Sequence, residues 1–125
     1  MRVCVVGSGG REHALATVLA RSADVVAVPG NPGIEAVAKC TDQPPEEVEA
    51  DLFVIGPEVP LVDGLADRLR SSGQRVFGPG ADGARLEGSK AWMKSVLDRA
   101  NVPTAAHGTF GASQLDEAIE FLRRL

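Results

Sequence analysis

Gly7, Ser8, Gly9 and Gly10, followed at once by Arg11, Glu12 and His13, are the residues whose types and spacing point to chemistry. Glycines let a backbone approach a ligand closely, and the first N–H groups of a following helix face an anion with the positive end of its dipole. Arg11 adds a guanidinium at the same point, which suits the oxygens of a phosphate. A dinucleotide fingerprint needs a third glycine, and Glu12 stands in that place. The acidic residue that would hold an adenosine ribose about twenty positions on is absent, because that run ends in Pro29, Gly30 and Asn31. No Gly-Lys-Ser/Thr follows the loop either, so the pattern reads as a phosphate loop other than that of NAD or a P-loop ATPase. A glycine turn that only reverses the chain is the alternative reading.

Two further loops carry candidate groups. PGNPG, Pro29 to Gly33, follows the apolar run Val25–Val28, and GPEVP, Gly56 to Pro60, follows DLFVI, Asp51 to Ile55. Glu58 brings a carboxylate that either accepts from hydroxyls or steadies the next helix N-terminus. His13 donates to a phosphate or to a neighbouring loop. Cys4 and Cys40 form no metal pattern, Cys4 reads as buried filler, and His107 has no matched partner and reads as a surface residue. Nothing in the chain reads as a nucleophile or general base.

The elements that must position these residues alternate. Val3–Val6, Val25–Val28, Asp51–Ile55 and Arg75–Phe77 read as buried strands, each delivering a Gly- or Pro-rich turn. Ala14, Leu15, Val18 and Leu19 predict one helix face, Pro44 and Pro45 suit a helix start, and Leu61, Val62, Leu65, Ala66 and Leu69 predict a further helix closed by Gly73. Strand–helix alternation predicts an α/β fold over residues 1–80, a Rossmann-like parallel sheet with right-handed crossovers, and its ligands sit at the carboxyl edge. Residues 81–125 read as a mostly helical extension. Ser89 is its N-cap, Trp92 packs, Thr104–Phe110 is a possible short strand, and a last helix from Ser113 carries Leu115, Ala118, Ile119, Leu122 and Leu125 on one stripe. That stripe has nothing left to cover it, which points to a fragment or to a partner that completes it.

The bulk numbers exclude several classes. A chain of 125 residues, 44% hydrophobic, buries one ordinary core. A net charge of −4 without a basic run, and 4% aromatic residues, disfavour nucleic acid. No apolar run approaches the roughly twenty residues of a membrane span and no signal peptide is evident, so the expected location is cytoplasmic.

GSGGREHA, PGNPG, DLFVIGPEVPLVDGLAD and FGPGADGARLEGSKAWMK, in this order and continued by NVPTA, closely resemble the start of the phosphoribosylamine-glycine ligase family, the glycinamide ribonucleotide synthetases of purine biosynthesis. The resemblance implies an ATP-grasp ligase: ATP, with Mg2+ or Mn2+, phosphorylates the glycine carboxylate, and the amine of 5-phosphoribosylamine attacks the acyl phosphate to give glycinamide ribonucleotide. It implies that Gly9, Gly10 and Arg11 hold the 5-phosphate with Glu12 and His13 beside them. It further implies that Pro29, Gly30, Asn31 and Gly33 wall the pocket and that Glu58 accepts from ribose hydroxyls. Lys90 in EGSK resembles a lysine that reaches ATP in related enzymes. Two departures follow. The Ile34–Ala50 connection is shorter than the family's usual crossover, and the chain stops where the ATP-grasp portion begins, so it is expected to be inactive alone and to lack the main ATP and metal ligands.

Overall fold

The computed structural model describes residues 1–125 and divides into two compact units, Met1–Ala84 and Arg85–Leu125. The first is built on β1 (Arg2–Gly7), which leads through α1 (Gly10–Leu19) to β2 (Asp24–Pro29), α2 (Pro32–Glu35) and β3 (Lys39–Cys40). A 3-10 turn (Pro45–Glu47) then precedes β4 (Leu52–Ile55), α3 (Glu58–Val62), α4 (Leu65–Ser71), β5 (Val76–Phe77) and α5 (Ala81–Gly88), the last of which carries the boundary between the units. The five strands form one sheet in the order β3-β2-β1-β4-β5, with every neighbouring pair parallel. The expected Rossmann-like layer is therefore present.

Side chains alternate across a strand, so a strand buried on both faces must be apolar throughout. In β1, Val3 and Val5 pack with Ala16 of α1 and Ile34 of α2, whereas Cys4 and Val6 pack with Phe53, Leu61, Leu65 and Leu69 on the other face. The buried side chains therefore fall into two apolar layers, one on each face of the sheet, rather than the single core expected. Burial pushes the Cys4 thiol up to about 11, with a smaller opposing pull from the Arg2 guanidinium.

Several local expectations are corrected. The inward face of α1 is Glu12, Leu15, Ala16 and Leu19; Val18 is 57% exposed and Ala14 is also outside. The expected single helix after Pro60 is two short ones, because Gly64 takes a left-handed φ of 80° between α3 and α4. Gly73 does close α4, as expected, with a φ of 81°. Pro44 and Pro45 start only the 3-10 turn, and β3, α2 and α5 were not anticipated.

The second unit contains the end of α5, α6 (Lys90–Arg99) and α7 (Leu115–Arg123). Ser89 caps α6 as expected, its Oγ accepting from Trp92 N at 3.2 Å. Trp92 does pack, with the guanidinium carbons of Arg85 and Arg99 at 4.1 and 5.3 Å from its ring centroid. Thr104–Phe110 forms no strand; Lys94 Nζ instead donates to Thr104 Oγ1 at 2.6 Å and to Ala105 O at 3.1 Å. His107 does have a partner, since its Nε2 lies 3.3 Å from Asp98 Oδ2. No residue beyond Ala84 is buried, and Leu115 and Leu122 of α7 are among the exposed apolar side chains. No helix is long and apolar enough to cross a membrane.

Candidate functional site

The loops after β1, β2 and β4 meet at the carboxyl edge of the sheet because β1 lies between the other two strands. Gly7 pairs with Pro29 and Val6 with Ile55, so the three chains leave the sheet side by side. Backbone hydrogen bonds carry the pairing into the loops: Gly30 N donates to Gly7 O at 3.2 Å, and Gly56 N to Val6 O at 3.1 Å. Gly7 adopts a φ of 128°, which a side chain would resist, and a Cβ there would stand 2.6 Å from Glu12 Cγ.

Asn31 ties two of these loops together. Its Nδ2 donates to Ser8 O at 2.8 Å while its Oδ1 accepts from Ile34 N at 2.9 Å and caps α2. The Val28–Pro29 peptide bond before it is cis. A Cβ on Gly33 would lie 2.7 Å from His13 Cε1, so the imidazole packs on the PGNPG turn. Pro29, Gly30, Asn31, Gly33 and His13 are thus brought beside the glycine loop, as expected from sequence. Sequence reasoning placed Ser8 and Gly56 in candidate loops but did not foresee that the Ser8 carbonyl accepts from Asn31 or that Gly56 lies against Glu12, because both contacts join residues distant in sequence.

Gly9 is the N-cap of α1 and, being glycine, has no side chain to accept from the first-turn amides. Those N–H groups, with the dipole behind them, are presented at the end of the central strand. The Arg11 side chain is 54% exposed there, and its Nε donates to Glu12 Oε1 at 3.1 Å, which directs the guanidinium along the loop. Glu58 opens α3 on the far side and is half-buried.

Glu12 departs from its expected place among the substrate-contacting residues. It is 3% exposed, the sole buried charged residue, and its Oε2 accepts from Gly9 N at 2.7 Å. At the third position of a helix the side chain leans back toward the N-terminus, so this carboxylate turns under the loop. Gly9 correspondingly has its N–H bonded inside the protein.

Lys90 opens α6 as an exposed side chain in the second unit, beside a shallow groove of about 320 Å³ that Lys94, His107 and Phe110 also line. One lysine is not a nucleotide site. No three His, Cys, Asp or Glu side chains converge as a metal ion requires.

A glycine loop entering a helix at the reversal of strand order in a parallel sheet defines a Rossmann-like α/β domain. Residues 1–87 match the model of the family "Phosphoribosylglycinamide synthetase, N domain", and the chain belongs to that family. It is 48% identical to a phosphoribosylamine-glycine ligase of Brucella melitensis over 88% of this chain, and 41% identical to that of Xylella fastidiosa over 99%. These matches span 29% and 31% of the relatives, so the chain covers about a third of their length. The Xylella match runs over 139 residues against the 125 of this chain, so that relative carries residues absent here. The solved phosphoribosylamine-glycine ligase of Thermotoga maritima superposes with a TM-score of 0.70 at 28% identity, covering 96% of this chain and 30% of that one. A biotin carboxylase domain of a single-chain bacterial carboxylase shares the fold, with a TM-score of 0.60 at 22% identity.

Proposed function

We propose that this chain supplies the sugar-phosphate part of a phosphoribosylamine-glycine ligase, binding the ribose 5-phosphate moiety of 5-phosphoribosylamine and of the product glycinamide ribonucleotide. The observation that carries the reading is the convergence of three loops on one helix N-terminus with an exposed arginine. In it, the Gly10 N–H and the Arg11 guanidinium hold the 5-phosphate, His13 and the Pro29–Gly33 turn wall one side, and Glu58 accepts from ribose hydroxyls. The family's chemistry needs no nucleophile here: ATP activates glycine, and this domain positions the attacking amine. Glycine, ATP and the divalent cation then belong to parts of the ligase outside this chain's own site, with Lys90 a single candidate contact to ATP.

Calorimetric titration with glycinamide ribonucleotide tests this. Saturable binding is expected for the chain, weakened about 10- to 100-fold in Arg11→Ala, as for loss of a charge-assisted hydrogen bond, and no binding is expected for NAD. Binding of NAD without binding of the ribonucleotide would overturn the reading.

A further inference from the structure

The crevice at which a sheet of this order takes its ligand lies between β1 and β4, where the chain reverses direction across the sheet. In this protein the crevice is filled. The Glu12 side chain rises from α1 into the space between the two loops, and its neighbours there are glycines. A Cβ on Gly9 would stand 2.8 Å from Oε2, one on Gly7 would stand 2.8 Å from Cδ, and one on Gly56 would collide with Oε1. Pro57 closes the same space, its Cδ lying 2.9 Å from a Cβ placed on Gly7. Three glycines from two loops therefore make room for one buried carboxylate.

Position 12 is where a dinucleotide-binding loop carries its third glycine, and the N–H of its second glycine lies where the backbone approaches a pyrophosphate. Here that N–H, on Gly9, is bonded to Glu12 at 2.7 Å. We propose that Glu12 is a specificity-determining and positioning residue: it withholds the Gly9 N–H and the β1–β4 crevice from diphosphate ligands and directs a monophosphate to the Gly10–Arg11 side. The inference rests on the phosphate-site reading above and names what that site rejects. Its side chain fills the space a diphosphate would need, and its hold on Arg11 Nε at 3.1 Å keeps the guanidinium pointed at the outer position.

Glu12→Gly completes the glycine spacing, and Glu12→Ala frees the same amide without adding backbone freedom. The probes are ADP and ribose 5-phosphate, titrated calorimetrically into the wild-type chain and both variants, with thermal unfolding as a check on folding. At least one folded variant is expected to gain about tenfold or more in ADP affinity over wild type, a gain that mere loosening of the loop would not produce. Glu12→Gln keeps an acceptor for Gly9 N–H; it is expected to leave ADP affinity within about threefold of wild type and the Gly9 amide protected from hydrogen exchange. Unchanged ADP affinity in the folded Ala and Gly variants would overturn the proposal. If neither folds, a Gly9 amide that exchanges freely in the wild-type chain would overturn it, and a protected one retained in Glu12→Gln would support it. Failure of wild type to bind ribose 5-phosphate would remove the site reading alone, because the ADP gain is measured against wild type's own ADP affinity.

Discussion

The two units of this chain hold their parts in different ways. In Met1–Ala84 the candidate site sits on strands buried on both faces; its loops are bonded to β1 through Gly30 and Gly56 and to one another through Asn31, with Glu12 packed between Gly9 and Gly56. In Arg85–Leu125 no side chain is buried, and order comes from caps and exposed polar links such as Ser89 to Trp92 and Lys94 to Thr104. A pocket needs groups held to within a fraction of an ångström, which packed strands supply and solvated helices do not. The candidate loops therefore belong to the unit that can hold them rigidly.

That contrast is sharpest in truncation of apolar side chains. Phe53→Ala removes a ring that is 1% exposed and should destabilise the first unit by about 3–5 kcal/mol in urea unfolding followed by circular dichroism. Leu122→Ala removes a side chain that is 67% exposed and should change stability by less than about 0.5 kcal/mol. Similar losses from the two would erase the distinction.

The Cys4 thiol gives a second way to break it. Its value rises from 9.0 unfolded to about 11 folded, so between these pH values the native state holds a proton that the unfolded chain has lost. Its contribution is fully present below pH 9 and disappears as pH rises through 11, a loss of at most about 2.7 kcal/mol. Denaturation curves should show this alkaline loss in wild type and a shallower one in Cys4→Val.

Gly56→Ala probes the link between the β1 and β4 loops. Overpacking against Glu12 should cost about 1–3 kcal/mol, and the cost should fall when Glu12→Ala is combined with it, as a double-mutant cycle would read. Asn31→Ala should cost about 1 kcal/mol by removing the cap of α2 and the tie to Ser8.

Much of this architecture was legible in the chain. Val3–Val6 and Val25–Val28 are unbroken β-branched or small apolar runs, a pattern that belongs to strands covered on both faces, and each opens into the glycine turn that the fold uses. Ser89 could be read as a cap because its partner, Trp92 N, is three residues away. The direction of Glu12 could not, since it depends on Gly56, which is distant in sequence and adjacent only once β1 and β4 pair. Nor could β3: two residues, Lys39 and Cys40, carry no periodicity, and their pairing with Val26 and Ala27 alone makes them a strand. Gly64 looked like any residue inside an apolar stripe, whereas its left-handed φ splits the helix.

The most direct measurement is amide chemical-shift mapping of the chain during titration with glycinamide ribonucleotide. Shifts are predicted at Gly10, Arg11, Asn31 and Glu58, on three loops at once, with residues 101–125 unmoved. Shifts confined to residues 85–125, or saturable binding that leaves the glycine loop unmoved, would contradict a sugar-phosphate site at the carboxyl edge of the sheet.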